Sequence, residues 1–407
     1  MIIDDLFPDK GHATVISGNV LVSGFKHMGA EACFDQIIED SMSDKNPIFI
    51  FSTHIISDRV DRLRLQARKN GYKFYEMTTE GCKCDCFNLL TAANSPEHAV
   101  ELVYSFIYDK SDREEDVNII CRYLRNCIWY LRETKPFFTV VDVLNLDVDT
   151  VKKGLESIEL PEIYDFEFEH RFLESKEVYR LWGKIDDRAQ KLKKNGLLET
   201  ISGTSDAIDF FNRPVLLLIS ASIGRTDLSN IFSETINGML TLFSVICEYR
   251  NRVKQAYHIF LDGISELRKL QFENILRVGV TTTSCKVPIC VYEQSMSEMI
   301  MLFGESIVDY FGSFLVFCNN DGNFWSTFFG TMHSPDITQS YTNKRNPLRL
   351  FNEGGVISKR NSRYENSMVH YIEKPIYEPR VFLSLRENSY IFYNVLLHKR
   401  QKKQIKW

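Results

Sequence analysis

The sequence predicts an α/β protein in which a sheet flanked by helices is interrupted by a mostly helical insertion. Three observations carry that expectation. Short apolar runs that end in polar or turn residues recur along the chain, helix-like segments lie between them, and the stretch from 106 to 205 is charged and helical in period.

The runs are NVLVSG, NPIFIFST, RPVLLLISAS, AYHIFLDG, VPICVYEQS, SFLVFCNN and YIFYNVLL. Continuous apolar runs of this length suit strands covered on both faces, as in a parallel sheet. After the first comes GAEACFDQIIEDSM, with Cys33, Ile37 and Ile38 on one stripe. LQFENILRVGV and SMSEMIMLFGESIVDYF also read as helices, the second with acid in its first turn, where the helix dipole favours it. In the middle, Ile120, Leu124, Cys127, Ile128 and Leu131 repeat at helical spacing, and Pro136 and Pro161 punctuate the pattern. TVVDVLNLDVDTVKKGL reads as a small helical-domain segment with Asp-bearing turns. The resulting parse is a first sheet segment over 1–105, a helical inserted domain over 106–205, a second sheet segment over 206–398 and a basic tail over 399–407.

A chain of 407 residues has room for two or three folding units, and 44% hydrophobic with 25% charged residues is an ordinary globular balance. The net charge of −5 argues against a protein that coats nucleic acid over its whole surface. The tail HKRQKKQIKW concentrates Lys399, Arg400, Lys402, Lys403 and Lys406 and reads as a solubilising, frayed terminus, with phosphate or anionic lipid as the alternative partner. No window approaches the ~18 consecutive apolar residues of a membrane span, and MIIDDLFPDK is acidic rather than signal-like, so no direct membrane span and a cytoplasmic location are expected. The ten cysteines are scattered among apolar residues, which fits reduced thiols. In GCKCDC, Cys82, Cys84 and Cys86 alternate without a second Cys or His pair nearby, which favours a half-buried strand over a zinc site. No metal is expected.

VLVSGFKHMGAEACF, residues 20–34, lies where a phosphate-binding loop would stand, after an apolar run and before a helix. The pattern GxxxxGK[ST] uses glycines to curl backbone N–H groups around phosphates, a Lys for the terminal phosphates and a hydroxyl for Mg²⁺. Gly24 and Gly29 keep the spacing, but Ala30 stands in the Lys position and Glu31 in the hydroxyl position. Glu31, in the first helical turn, is expected to satisfy the helix N–H groups that phosphate would take. Lys26 reads as an exposed loop lysine, with a displaced phosphate ligand as the alternative. Such a site also needs a strand ending in Asp for Mg²⁺ and, in many ATPases, a Glu that polarises water. YHIFLDGISEL supplies Asp262, yet Gly263 stands in the Glu position and Glu266 lies further along. A hydrogen bond to a charged group contributes ~1.5–3 kcal/mol, and two like charges about 4 Å apart repel by ~4 kcal/mol at a dielectric near 20. No cofactor is therefore expected, weak binding of ATP and Mg²⁺ being the alternative.

VPICVYEQSMSEM ends in Gln294 and Ser295, and with it the chain resembles the coupling ATPases of conjugation and type IV secretion, a RecA-like class of P-loop DNA translocases. In that family a Gln-Ser pair follows the strand and the next helix ends in an aromatic-glycine step, here EQSMSEMIMLFG. CFNLL is similar to the segment before the family's helical insertion, FFNRPVLLLISASIGRTDLSNIF to the strand and helix after it, and VHYIEKPIYEPRVFLSLRENSYIFY to its closing strands. The likeness runs over roughly residues 15–395. It implies a RecA-like P-loop NTPase sheet, with Asp262 and Gln294 matching the family's functional residues in type.

At four positions the sequence departs from the family. Ala30, Glu31 and Gly263 replace the Lys, the hydroxyl and the catalytic Glu, and an Asp-x-Lys turn stands as Ser52 to His54. The resemblance then implies a pseudo-ATPase that docks or assembles within a conjugative or type IV secretion machinery, recruited to the inner face of the membrane by partners. Its partners would be machinery proteins, with DNA or a relaxosome-type substrate, in a homo- or hetero-oligomer or as a monomer. The alternatives are a divergent ring ATPase, completed across a subunit boundary by a cation such as Arg277, and a non-motor DNA-binding module.

Overall fold

The structure, a computed structural model, describes residues 19–52, 57–78, 81–109, 111–158, 164–220, 226–248, 257–263, 269, 272–276, 289–343, 363–395 and 399–404. The chain divides into two compact units, Asn320–Ser384 and the remainder. The larger opens with β1 (Val20–Ser23), α1 (Ala30–Ser41), β2 (Ile48–Ser52), α2 (Ser57–Lys69), β3 (Lys73–Thr78), β4 (Gly81–Lys83) and β5 (Phe87–Asn88). The helical stretch follows as α3 (Pro96–Ile107), α4 (Glu114–Thr134), α5 (Val140–Leu144), α6 (Val148–Leu155), α7 (Phe166–Leu173), α8 (Lys176–Lys194) and α9 (Leu197–Thr200). Then come β6 (Ser205–Asp206), α10 (Ala207–Phe211), β7 (Val215–Ser220), α11 (Thr226–Glu248), β8 (His258–Asp262), β9 (Ile289–Glu293), α12 (Met296–Phe303) and β10 (Ser313–Val316). The smaller unit holds α13 (Gly322–Phe329), the paired strands β11 (Thr331–Asn343) and β12 (Arg363–Pro375), and α14 (Pro379–Leu383). The chain returns to the larger unit as β13 (Ser389–Asn394) and β14 (Lys399–Gln404).

One ten-stranded sheet, ordered β14-β13-β10-β1-β9-β8-β2-β7-β3-β4, organises the larger unit. From β10 through β3 every pairing is parallel, and antiparallel strands close both edges. All the apolar runs form strands, because alternate side chains can be buried on opposite faces. In β2, Ile48 and Ile50 pack with Cys33, Phe34 and Ile37 of α1 on one face. Phe49 and Phe51 point the other way, onto Phe243 of α11, and Phe49 also meets Phe211 and Tyr257.

The helical stretch packs as its period implies: Ile120, Leu124, Cys127, Ile128 and Leu131 of α4 are all buried. Its Asp-bearing turns cap short helices. Asp142 completes a capping box with Thr139 at α5, and Asp147 accepts from the Thr150 N–H at α6. The stretch begins and ends beside the parallel pair β5 and β6, where Phe87 is in register with Ser205.

Two expectations change. YIFYNVLL gives β13, which runs antiparallel to β10; an apolar run reports burial but not direction. The basic tail is not frayed: Lys399–Gln404 pairs with β13 as the edge strand β14, since the β13 backbone offers a free edge and charge on an outermost strand discourages further pairing. Lys406 lies outside the described residues. Cys82 is on the short strand β4, with Cys82 and Cys84 half-buried, Cys86 exposed and all three thiols free. Burial pushes the Cys82 thiol up to about 11, so it is a poor thiolate ligand. Among the described residues no helix is long and apolar enough to cross a membrane.

His258 opens β8 almost fully buried, with Asn46 Nδ2 at 3.5 Å and Asp44 Oδ2 at 3.6 Å from its Nε2. Burial pushes its pKa from 6.5 down to about 4, against the opposing pull of Asp44. The unfolded chain therefore takes up this proton first, and stability falls as pH drops through the window from 6.5 to 4. The contribution is up to about 3 kcal/mol. Urea unfolding of His258→Asn should show a correspondingly flatter acid limb than the parent; an unchanged limb would contradict the assignment.

Candidate functional site

Open parallel sheets bind ligands beyond the carboxyl ends of their strands. At that edge the register aligns Ser52 of β2 with Asp262 of β8, Asp262 with Tyr292 of β9, and Glu293 with Ser23 of β1. The loop leaving β1 faces this row. Gly24 and Gly29 both have positive φ, +142° and +98°, in the region glycine favours.

Four of the loop's amides already donate to backbone carbonyls. Gly24 N–H donates to Glu293 O at 3.2 Å, Phe25 N–H to Cys318 O at 2.9 Å, Met28 N–H to Phe25 O at 3.0 Å and Gly29 N–H to Lys26 O at 3.3 Å. Lys26–Met28 has tightened into a 3₁₀ turn, the conformation that these short-range bonds produce. Asn388 sits against its end: its N–H donates to Met28 O at 3.0 Å, and a Cβ at Gly29 would come within 2.4 Å of its Oδ1. Ala30, in the position where the motif has Lys, is fully buried.

The charged residues form one cluster. Glu31 Oε1 lies 2.6 Å from Lys26 Nζ and 3.4 Å from Arg59 Nη1. Arg59, from the first turns of α2, is 3% exposed. Its Nε donates to Asp35 Oδ1 at 2.8 Å, its Nη2 lies 2.6 Å from the same oxygen, and its Nη1 pairs with Asp262 Oδ2. Ser52 Oγ donates to that Asp262 oxygen at 3.0 Å, and Arg62 pairs with the other oxygen of Asp35. Three carboxylates thus meet three cations.

Burial alone would lower the Arg59 pKa, but Asp262, Asp35 and Glu31 more than offset it and hold the guanidinium charged. Burial pushes the Asp35 carboxyl up, and the neighbouring Arg59 and Arg62 oppose that shift.

The structure brings Gly24, Lys26, Gly29, Ala30, Glu31 and Asp262 to one place. The Glu31 expectation is corrected in its partner: the carboxylate is engaged by Lys26 and Arg59 rather than turned onto the helix N–H groups, because two cations attract it more than partial charges do. Lys26, an exposed loop residue, is spent on Glu31. Gln294 is also exposed, at the end of β9, and its N–H donates to Glu293 Oε1 at 2.8 Å. Gly263 has φ +78°, so an L-residue there would be strained. Glu266, His54 and Arg277 lie outside the described residues.

Arg59 and Asp35 are the residues of this cluster that motif matching misses. Their signal is positional. Arg59 shares a stripe with buried Leu63 and Ala67, and Asp35 lies among Cys33, Phe34, Ile37 and Ile38, so each puts a charge where its helix faces the core. A divalent ion in a P-loop NTPase is held between the loop's hydroxyl and the strand-end Asp. The residues at the corresponding motif spacing are Glu31 and Asp262, and a guanidinium bridges them. The residues present therefore do not fit Mg²⁺-triphosphate: a fixed cation stands between the acids, and four of the loop's amides already donate to backbone carbonyls. Among the described residues no group of three or more His, Cys, Asp or Glu is arranged to hold a metal ion.

Solved structures match over the whole chain. The bacterial conjugative coupling protein TrwB, unbound, is 12% identical with a TM-score of 0.58, covering 100% of this chain and 91% of that one. The chain has the fold of conjugative coupling proteins. TrwB in complex with ADP and Mg²⁺ matches at TM-score 0.60, 12% identity and the same coverage. VirB4 of Thermoanaerobacter pseudethanolicus matches at 0.54 and 11%, covering 99% of this chain and 92% of that one. No protein-family model and no curated protein sequence matches. The likeness thus resides in the backbone path, including the coupling-protein fold's sheet.

Removing one partner of a buried ion pair leaves an uncompensated charge and costs about 3–5 kcal/mol. Arg59→Met should lose stability of that size in urea unfolding. A loss below about 1 kcal/mol, the size of a surface pair, would contradict the burial described here.

Proposed function

We propose that this chain is a non-hydrolysing member of the coupling-protein class that acts as a docking or assembly subunit of a conjugative or type IV secretion machinery. The observation that carries the reading is Arg59, which bridges Glu31 and Asp262. Hydrolysis needs a metal to neutralise charge on the transferring phosphoryl group and a positioned water. In this chain the acids are already neutralised by an arginine, and the water-activating position is Gly263, with a left-handed backbone.

Retention of the sheet without its chemistry supports a binding role, since function resides in sites and not in the fold that carries them. The solved neighbours include a protein described as a bacterial conjugative coupling protein, which supports machinery proteins as partners. Because no nucleotide would glue subunit boundaries together, the chain is a monomer or a weak oligomer until its partners assemble it.

Gln294 separates this reading from a motor. It is exposed, so Gln294→Ala leaves the fold intact, and in a coupling motor the residue would sense nucleotide. In cells carrying the machinery, deletion of the chain should abolish transfer whereas Gln294→Ala supports it at the parental level. The purified chain should release phosphate from Mg-ATP at background rate. Loss of transfer in Gln294→Ala, or turnover by the chain, would overturn the proposal.

A further inference from the structure

We propose that Arg59 is this chain's built-in substitute for the divalent cation: a covalently attached charge that holds Glu31, Asp35 and Asp262 together and locks the β1 loop independently of nucleotide or metal. The inference deepens the non-hydrolysing reading and rests on it. Its readout, however, is the metal response of a variant and not transfer or turnover, so either can fail alone.

Three features make Arg59 more than one surface-type pair. It is 3% exposed, and it contacts acids from two different elements, α1 and β8. Its Nη1 lies against both Glu31 Oε1 and Asp262 Oδ2, the two positions between which a P-loop NTPase holds its metal, and Ser52 Oγ bonds the same Asp262 oxygen. The charge count is also complete. Lys26 completes the pairing of Glu31 and Arg62 that of Asp35, so each of the three cluster acids already has a cation.

Geometry explains why an arginine serves. A planar guanidinium offers several donors in a fixed fork and resists deprotonation, so it can satisfy carboxylates spread around its edge. Among the described residues the parent chain has no group of three or more acids, His or Cys arranged to hold a metal ion. Without the guanidinium, Glu31 and Asp262 would face each other across the space that Nη1 filled, with the Ser52 hydroxyl beside them. A hydrated Mg²⁺ or Mn²⁺ takes one or two carboxylates and keeps its remaining waters, which suits that arrangement.

The test compares the melting temperature of the full chain and of Arg59→Ala in a titration of MgCl₂ and MnCl₂, with NaCl at matched ionic strength as the control. The expected result is that Arg59→Ala melts lower than the parent and regains several degrees with either divalent ion but not with NaCl, while the parent does not respond. A variant whose melting is no more sensitive to divalent ions than the parent's overturns the proposal, because a merely structural ion pair would give that outcome. Should Arg59→Ala not fold, Arg59→Ala with Asp35→Asn removes one of the stranded charges and keeps Glu31 and Asp262. That double variant must show the same selective response, and its absence there also overturns the proposal.

Discussion

A guanidinium enclosed by three carboxylates constrains everything around it. Arg59 is buried where a cation without partners would not be tolerated, and its acids arrive from α1 and from the end of β8. For these groups to meet, β2 must deliver α2 over the sheet edge, α1 must present Glu31 and Asp35 one turn apart, and β8 must lie beside β2. The parallel order of the central strands meets all three demands at once.

The surrounding loop fits the same closed state from independent directions. Amides of the β1 loop bond to Glu293, Cys318 and the loop's own carbonyls. Asn388, just before β13, packs on Gly29 at the start of α1. After β8, the turn at Gly263 adopts a backbone that excludes a comfortable glutamate. Together these features support the proposed reading of a site organised around an internal salt-bridge cluster. Reinstating Lys, Ser and Glu by substitution would therefore meet an occupied cation position, a buried Ala30 and a strained turn.

Most central strands of the sheet were legible because they are apolar on both faces, which the run pattern reports directly. β3 was harder: KFYEMT is exposed at its start and carries the buried Glu76, so no run marks it. β11 was also silent, since TMHSPDITQSYTN has no continuous apolar signature, whereas the second half of β12, VHYIEKP, was reached only through the resemblance. At the site, the glycine spacing and the strand-end Asp262 were readable as motif positions. Arg59 was not, because motif matching asks which residue replaces a missing one at the same place, whereas here the compensating charge comes from another helix. A charged residue on an otherwise inward-facing stripe is the physical clue, and Asp35 gives the matching clue on α1.

The central claim is that the cation bridging Glu31 and Asp262 belongs to the protein, leaving no place for a metal-bound triphosphate. Calorimetric titration of Mg-ATP into the full chain tests it most directly. The account predicts no saturable heat up to about 1 mM ligand, which corresponds to binding weaker than about −4 kcal/mol. A one-to-one isotherm with a dissociation constant near ~1 μM, abolished by omitting Mg²⁺, would contradict it.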